Sequence, residues 1–429
     1  MPPSLNPSRG HFKSFIAFLE RHTKTDLNYL ASGGFWLTLD EIGGGLAALL
    51  LAIAFAHYVP KDVYGTYRFL TAAYWTLTAF TMTGLSAAIS RAVAKGREGV
   101  YRESFLYSIR WALPLSFISL GTSAYYFVQA NTLLGYGFLI IAVLGPLMQS
   151  GYLWGTYFVG KKQFRLLSLY GLLFSLIPPL LLFLTMRETA NPLFLLFAYL
   201  GGTAAVGLFL AFYILVKYRP NRKIDAEHRN LGAHFSAMNL LSTIAAQVDK
   251  LVVFHYLGAI DLAVYSFATA FPEQIKNVLS SITTLALPKF VTRPFKEIRE
   301  NFWGRLWMYT AGLAAVAFAY MLVAQIAFDI FFPAYKEAVW YSQLYVLTLI
   351  PIGNAMPIAL LQARGAKREL YILNVLSPVF QILTLVVLTA IYGLIGTIIA
   401  RIAGRVWGFL IGGILLEVYA LREKRGYVN

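Results

Sequence analysis

The chain has 429 residues, of which 58% are hydrophobic and only 13% are charged, and its formal net charge is +16. Its mean hydropathy is +0.62. So little polar surface cannot cover a soluble globule of this size, and the composition therefore predicts a polytopic membrane protein. Because the chain has no cysteine, disulfides, thiolate metal sites and a cysteine nucleophile are excluded.

Long apolar runs recur through the chain, and each is about 20 residues or longer, the length that a helix needs to cross a bilayer. Helix is the expected structure because backbone in lipid must satisfy its own hydrogen bonds, and the runs are far longer than barrel strands. The predicted fold class is all-α integral membrane, with twelve transmembrane helices. The runs lie near residues 33–58, 66–90, 105–128, 133–159, 166–186, 192–216, 233–257, 262–288, 303–332, 337–363, 370–392 and 395–420.

The longest polar stretch inside the chain, residues 218–232, separates six predicted helices from six and is interpreted as a cytoplasmic linker. It divides the chain into an N-lobe at 31–217, with helices 1–6, and a C-lobe at 233–421, with helices 7–12. A short tail at 422–429 is predicted to be cytoplasmic. Residues 1–30 are too polar for a cleaved signal peptide, and their apolar positions share one face of an expected interfacial amphipathic helix.

Basic residues set the expected orientation, because Lys and Arg concentrate in the cytoplasmic connections of membrane proteins. Most of the 36 Lys and Arg residues fall in alternate connections and in the two terminal segments, whereas the other connections hold Lys61, Arg68, Arg187 and Lys336. This bias predicts a protein of the cytoplasmic membrane with both termini in the cytoplasm. The charge also favours contact with anionic membrane lipids, and no nucleic acid partner is expected because there is no soluble basic domain.

One segment of the sequence repeats at a fixed offset. His57, Tyr58, Tyr67, Phe69, Thr71 and Ala72 reappear 198 residues later as His255, Tyr256, Tyr265, Phe267, Thr269 and Ala270. Both copies lie at the end of one apolar run and the start of the next. The repeat predicts two pseudo-symmetric six-helix lobes, related by a pseudo-twofold axis, which is an arrangement typical of transporters.

Polar side chains form stripes along two of the predicted helices. In the seventh helix the stripe contains Asn239, Thr243, Gln247 and Lys250, and in the eighth it contains Thr269, Glu273, Lys276 or Asn277, Ser280 and Thr284. The steps of three or four residues place each set on one helix face. An ionisable group at bilayer depth costs about 2.5–3.5 kcal/mol unless it faces a cavity or a partner. The stripes therefore predict a polar interior.

Two segments resemble the polysaccharide flippases, which transport O-antigen and other lipid-linked oligosaccharides. VDKLVVFHYLGAIDLAVYSFATA at 248–270 is similar to their passage from helix 7 to helix 8, and AFAHYVPKDVYGTYRFLTAA at 54–73 to that from helix 1 to helix 2. The resemblance places the chain in the multidrug, oligosaccharidyl-lipid and polysaccharide (MOP) exporter superfamily. It implies a V-shaped pair of bundles whose central cavity is lined by helices 1, 2, 7 and 8. The family has arginines where this chain has Ser266 and Phe267.

The acidic residues within the apolar runs are candidates for ion coupling. Asp40 and Glu41 precede three consecutive glycines that allow the helix to bend, and Asp249 and Glu273 lie in the seventh and eighth helices. An alternative for Glu273 is simple pairing with Lys276, three residues away. Asp249 is expected to find an interhelical partner. Arg401 and Arg405 of the twelfth helix are open to structural pairing or snorkelling to headgroups as well as to a cavity role.

No motif for catalysis or for a cofactor is present: the sequence lacks HExxH, GxSxG and a complete phosphate-binding loop. We therefore predict a transporter rather than an enzyme, with no cofactor and no resident metal. The predicted function is a flippase that moves a polyprenyl-pyrophosphate-linked oligosaccharide to the outer leaflet by alternating access, coupled to a proton or sodium gradient. The candidate substrate-binding residues are Lys250, Lys276, Arg68, Arg91, Asn239, Gln247 and Asn277.

Two other functions remain open at this point. A multidrug cation antiporter of the same superfamily would use the acidic residues as its drug site and predicts a cavity of net negative charge. A membrane enzyme of glycan assembly would need a structured external loop, whereas the predicted loops are short. For the flippase, partners among polymerases and glycosyltransferases are expected.

Overall fold

The computed structural model describes residues 27–284, Arg299 and residues 302–424, and the regular structure in these residues is helical. Short 3₁₀ segments at Thr78–Phe80, Pro333–Tyr335 and Val346–Asn354 interrupt the α-helices. The α-helices are α1 Leu27–Tyr58, α2 Lys61–Leu77, α3 Leu85–Ala94, α4 Gly99–Trp111, α5 Leu113–Val128, α6 Thr132–Gly151, α7 Trp154–Gly160, α8 Phe164–Glu188, α9 Pro192–Lys217, α10 His228–Leu257, α11 Ala259–Thr284, α12 Phe302–Phe331, α13 Ala338–Tyr345, α14 Ala355–Ala363 and α15 Lys367–Lys424.

The helices confirm an all-α, multi-pass membrane protein. Within the described residues, 7 helical segments are long and apolar enough to cross a bilayer. Several predicted spans are broken into shorter helices: the second is divided by the 3₁₀ turn at Thr78–Phe80, and the third where α4 ends and α5 begins with Pro114 in its first turn. A break of this kind shortens each continuous helix, so the count of twelve spans stays a prediction.

The last helix, α15, contains a sharp change of direction. Gly393 has φ of +60° and ψ of −140°, a conformation that residues with a side chain rarely adopt. Thr389 Oγ1 and Thr397 Oγ1 lie 2.9 Å apart on either side of this glycine. The change falls between the predicted spans 370–392 and 395–420, so Gly393 separates the two helices that the hydropathy pattern predicts there.

The N-terminal and C-terminal parts of the chain meet closely at the turns where α1 joins α2 and α10 joins α11, which we call the turn side. A Cβ atom on Gly65 would lie 1.8 Å from the carbonyl oxygen of Ala259, so only glycine permits this approach. The rings of Phe69 and Phe254 stack with centroids 3.9 Å apart. Lys61 Nζ lies 2.5 Å from Glu337 Oε1. The turn side is therefore closed.

At the opposite end, which we call the linker side, residues 218–227 are attached to the N-terminal part of the chain. Arg97 Nη1 lies 2.8 Å from Asp225 Oδ1, and Gly99 N donates to the carbonyl of Lys223 at 3.0 Å. Burial by itself raises the pKa of Asp225, but the N–H of Glu227 and the charges of Arg97 and Lys95 outweigh it and hold the pKa below its usual value. The predicted linker is thus an ordered connection.

Candidate functional site

A cavity of about 800 Å³ lies between the two parts of the chain. Its N-terminal wall is formed by α1, α2 and Tyr199 of α9. Its C-terminal wall is formed by α10, α11, Tyr345 of α13, the 3₁₀ segment Val346–Asn354 and α15. This volume lies within the range of about 300–1,000 Å³ that is typical of small-molecule sites. Helices α1, α2, α10 and α11 correspond to the four that the family resemblance implies.

Many cavity residues are related by the offset of the sequence repeat. Eight pairs of lining residues are 198 positions apart: Ala48 and Ala246, Leu49 and Gln247, Leu51 and Asp249, Ala52 and Lys250, Arg68 and Ser266, Thr71 and Thr269, Ala72 and Ala270, Trp75 and Glu273. One pair is in direct contact, since Arg68 Nε donates to Ser266 Oγ at 3.4 Å. Corresponding segments of the two halves thus face each other across the cavity, as expected near a pseudo-twofold axis.

The cavity has an excess of positive charge. Its lining contains five basic residues, Arg68, Lys250, Lys276, Arg401 and Arg405, against the two acidic residues Asp249 and Glu273. Lys250 Nζ donates to the side-chain oxygen of Gln247 at 2.6 Å. In the part of the chain that the structure describes, neither Lys250 nor Arg68 forms an ion pair. Two cations therefore remain available to an anionic ligand.

Asp249 is held by groups from two other helices. Arg401 Nη2 lies 2.5 Å from Asp249 Oδ2, and the Nε of the same arginine donates to this oxygen at 3.0 Å. The hydroxyl of Tyr265 donates to the same oxygen at 2.6 Å. Asp249 is 2% exposed, and its Oδ1 has no hydrogen-bond partner among the described residues. The expected interhelical partner of Asp249 is thus Arg401.

Glu273, on the neighbouring helix α11, is held in the same way. Arg405 Nη2 lies 2.6 Å from Glu273 Oε1, and the hydroxyl of Tyr345 donates to that oxygen at 2.6 Å. Arg405 Nη1 also donates to Thr348 Oγ1 at 2.7 Å. Lys276 pairs with Glu273 Oε2 across one turn of the helix. Each carboxylate therefore has an arginine from α15 and a tyrosine hydroxyl on one of its oxygens, which offsets the cost of burying its charge.

The predicted site residues divide into three groups. Arg68, Gln247, Lys250, Lys276, Asp249, Glu273, Arg401 and Arg405 line the cavity. Arg91, Asn239 and Asn277 are exposed and lie outside the lining. Arg91 is on α3 at the linker side, Asn239 lies two turns before Gln247, and Asn277 is rotated about 100° from Lys276. Asp40 and Glu41 belong to α1, but their side chains lie outside the described residues, so their roles stay predictions.

Several cavity groups are absent from the set that the sequence patterns indicated. Tyr345 and Thr348 approach from the segment between α12 and α14, where the sequence has no polar periodicity. Trp75 and Tyr199 face the cavity from the N-terminal wall. The sequence repeat pairs Tyr265 with Tyr67. This pairing is the sequence feature that could have indicated that Tyr265 lies beside the charged residues.

Comparison with known proteins assigns the family. Residues 30–293 match the family described as "Polysaccharide biosynthesis protein". No curated protein matches the chain significantly in sequence. Among solved structures, an inward-facing multidrug resistance transporter of the MATE family, in the MOP superfamily, is similar, with a TM-score of 0.65 and 15% identity over 87% of this chain and 95% of its own.

A second similar structure is the lipid II flippase MurJ in an inward closed conformation. Its TM-score is 0.61 and its identity 16%, over 90% of this chain and 87% of its own. These likenesses establish the fold. Together with the family match, they confirm the prediction of a membrane transporter rather than an enzyme. The chain belongs to the polysaccharide biosynthesis protein family and has the fold of the MOP superfamily transporters.

Proposed function

We propose that this transporter is a flippase for a polyprenyl-pyrophosphate-linked oligosaccharide, which it moves across the cytoplasmic membrane by alternating access. The observation that carries the proposal is the cavity, with three more basic than acidic side chains and two cations without a carboxylate partner among the described residues. A pyrophosphate that crosses hydrocarbon needs compensating cations and charge-assisted hydrogen bonds. Lys250 and Arg68 supply both.

The pyrophosphate would bind between the walls, with Arg68 on one side and Lys250 on the other. Lys276 is the third cation, although it now pairs with Glu273. Gln247 orients the ammonium group of Lys250. Arg91 would act at the linker-side mouth, together with Asn239 and Asn277, which lie outside the cavity lining. The lipid tail would stay in the bilayer while the glycan occupies the polar interior.

The orientation is part of the same proposal. The linker side would be cytoplasmic, because most Lys and Arg residues lie in connections on that side, and both termini would be there too. The two walls would belong to six-helix lobes, 31–217 and 233–421, that rock about the cavity. In the present structure the turn side is closed by the contact of Gly65 with Ala259. Transport would require this contact to separate.

Coupling to a proton or sodium gradient is proposed for Asp40, Glu41, Asp249 and Glu273. Asp249 offers a specific place, because its Oδ1 is buried and has no hydrogen-bond partner among the described residues. The other oxygen is held by Arg401 and Tyr265. A cation that binds Oδ1 competes with Arg401 for the same carboxylate. Ion binding would thus be linked to the position of α15.

The cavity also separates the flippase from its main alternative. A cation-exporting antiporter, such as the similar MATE transporters, would be expected to present acidic groups to its substrate. Here both described carboxylates of the cavity lining are neutralised by arginines, and the remaining charge is positive. A membrane enzyme of glycan assembly is disfavoured by the family and the fold. Polymerases and glycosyltransferases remain proposed partners.

The test is lipid flipping in proteoliposomes that contain the purified full chain. A polyprenyl-diphosphate-linked disaccharide is placed in one leaflet, and its arrival in the other is followed with a membrane-impermeant lectin. We expect flipping by the wild type and its loss in the double variant Arg68→Gln, Lys250→Met. Lys367→Met, a change at an exposed lysine on the linker side, is the matched control and should flip normally. Proton-driven ethidium transport without lipid flipping would overturn the proposal in favour of an antiporter.

A further inference from the structure

The two walls of the cavity differ in aromatic content as well as in charge. Five aromatic residues line the N-terminal wall, namely Phe55, Tyr64, Tyr67, Trp75 and Tyr199, and the C-terminal wall contributes Tyr345. The basic residues are distributed the other way, since Arg68 alone comes from the N-terminal wall and the other four from the C-terminal wall. A ligand in the cavity therefore meets an aromatic surface on one side and a cationic surface on the other.

Only part of this aromatic surface is open to a ligand. Phe55, Tyr64 and Tyr67 are 3%, 6% and 4% exposed, and Tyr345 is also buried, so these rings serve mainly as packing. Trp75 and Tyr199 are half-buried and line the cavity. Among the described aromatic residues of the lining, these two have side-chain surface that a ligand can contact.

Both rings are held in place by other aromatic side chains. The ring of Trp75 makes edge contacts with Tyr74 and Tyr152, with centroids 5.2 Å and 5.7 Å away. Tyr199 makes an edge contact with Tyr67 at 6.3 Å. Such packing fixes the rings before a ligand arrives, so little side-chain entropy is lost on binding. The pair is a rigid platform rather than a flexible cover.

The platform lies at a defined distance from the proposed anion site. Arg68 and Trp75 are seven residues apart on α2, so they lie on one face of the helix and about 10.5 Å apart along its axis. Thr71 lines the cavity between them. A pyrophosphate bound by Arg68 and Lys250 would therefore place the first groups beyond it alongside Thr71 and Trp75. In a lipid-linked glycan the diphosphate joins an isoprenoid to the first sugar, and the sugar is the neighbour whose hydroxyls suit this polar cavity.

We propose that Trp75 and Tyr199 form a stacking subsite for a pyranose ring of the transported glycan. The inference rests on the proposed function and adds a glycan contact to it. A pyranose ring has an apolar face of C–H groups, which packs on an aromatic ring, and a rim of hydroxyls that require hydrogen bonds. Thr71 and Gln274 line the same cavity and provide polar groups for that rim.

The experiment compares the affinity of two probes for the purified full chain in lipid nanodiscs. One is undecaprenyl diphosphate, and the other is undecaprenyl diphosphate that carries a single N-acetylglucosamine. For the wild type we expect the sugar-bearing lipid to bind about threefold to tenfold more tightly, the range of one aromatic contact. Trp75→Leu should remove this preference and leave the affinity for the bare lipid unchanged.

Three further variants make the result specific. Trp75→Tyr keeps an aromatic face and should keep most of the preference, which also guards against misfolding of the leucine variant. Trp307→Leu is the matched control, since this tryptophan is 60% exposed on α12 and should have no effect. Lys250→Met should weaken both probes by the same factor, because both contain the diphosphate.

The outcomes separate this inference from the proposed function. Equal wild-type affinities for the two probes, or a preference that survives in Trp75→Leu, would overturn the glycan subsite alone. An equal loss for both probes in Trp75→Leu would also overturn it, because the ring would then contact the isoprenoid chain. If the wild type binds neither probe, the flippase proposal fails and the subsite fails with it.

Discussion

The two walls of the cavity have one backbone plan and different side chains. At four of the eight pairs related by the repeat, the C-terminal wall has a polar or charged residue where the N-terminal wall has an apolar one: Gln247 for Leu49, Asp249 for Leu51, Lys250 for Ala52 and Glu273 for Trp75. At Arg68 and Ser266 it is the N-terminal wall that has the charged residue, while the C-terminal wall has an uncharged polar one. A repeated architecture can thus be used for electrostatics in one half and for shape in the other.

The two walls also differ in how their charges are stabilised. On the C-terminal wall Asp249, Glu273, Arg401 and Arg405 form a framework in which each group has an opposite charge beside it. Arg68 on the N-terminal wall has the hydroxyl of Ser266 as its partner. Removal of one charge from the Asp249–Arg401 pair, whose side chains are 3% and 13% accessible, should therefore affect folding, whereas removal of Arg68 should mainly affect ligand binding.

The largest effect is expected for Arg401→Gln, which leaves Asp249 buried without its counter-charge. Loss of one partner of a buried ion pair destabilises a protein by about 3–5 kcal/mol. We expect a strong drop in the yield of monodisperse protein and in its thermal stability in detergent. The double variant Arg401→Gln, Asp249→Asn should recover much of the loss, because no unpaired charge then remains.

Arg68→Gln is the comparison for this result on the other wall. Because Arg68 has no carboxylate partner in the described part of the chain, its removal should change the melting temperature little. Equal destabilisation by Arg401→Gln and Arg68→Gln would contradict the division between the walls.

The next largest effect is expected when the ammonium group of Lys250 is removed or moved to the opposite wall. Lys250→Ala should weaken the binding of undecaprenyl diphosphate by roughly tenfold to a hundredfold, since a hydrogen bond to a charged group contributes about 1.5–3 kcal/mol. Ala52 is its counterpart, 198 residues earlier, and also lines the cavity. Addition of Ala52→Lys to this variant should restore binding to within a few-fold, because the new ammonium reaches the same space from the opposite wall.

The control for moving the lysine from position 250 to position 52 is Ala54→Lys. Ala54 is a buried residue of α1 that does not line the cavity. Binding in these variants can be measured by microscale thermophoresis on the purified protein. If Ala52→Lys gives no more recovery than Ala54→Lys, the two walls do not share a common ligand space.

A smaller change, in the opposite direction, is expected for Glu273→Gln. This substitution raises the excess positive charge of the lining from three to four and weakens the hold on Arg405 and Lys276. Undecaprenyl diphosphate should bind about tenfold more tightly, since one more cation can then make a charge-assisted hydrogen bond. Flipping should become slower because release is slower. Trp75→Gln, at the counterpart position, changes no charge and should leave the affinity for the bare diphosphate unchanged.

Periodicity and the repeat predicted the C-terminal wall far better than the N-terminal wall. The stripes of α10 and α11 contain Gln247, Lys250 and Glu273, and these three residues line the cavity. A polar residue in a membrane helix is costly unless it faces a cavity or a partner, so it carries a sequence signal. Trp75 and Tyr199 gave no such signal, because aromatic residues are common both in protein cores and at lipid interfaces.

The ion pairs with α15 depend on tertiary packing that no sequence pattern reveals. Arg401 and Asp249 are 152 residues apart, and only the arrangement of the helices brings them together. Helical periodicity can tell which face of one helix is polar, but it does not identify the helix that packs against that face. For the same reason Asn239 and Asn277, which belong to the polar stripes, lie outside the cavity lining. Arg91 was predicted at the cytoplasmic mouth, and that role stays a prediction.

The smallest effect is expected where the two parts of the chain meet on the turn side. Lys61 pairs with Glu337 at 2.5 Å and lies over the ring of Tyr335, but the pair is partly exposed, with 32% and 52% of the two side chains accessible. Pairs of this kind contribute about 0.2–1 kcal/mol. Lys61→Met should therefore raise the population of a turn-side-open state by about fivefold at most.

The absence of native cysteines makes this shift measurable. In a Thr71→Cys background, the rate of labelling by a membrane-impermeant maleimide reports how often the cavity opens to the turn side. Lys61→Met and Glu337→Gln should each accelerate labelling, and their combination should do no more than either alone, because both remove one interaction. Gly65→Ala should accelerate it further, since its Cβ would overlap the carbonyl oxygen of Ala259. If the effects of Lys61→Met and Glu337→Gln add fully, the two residues act independently and the ion pair does not hold the walls together.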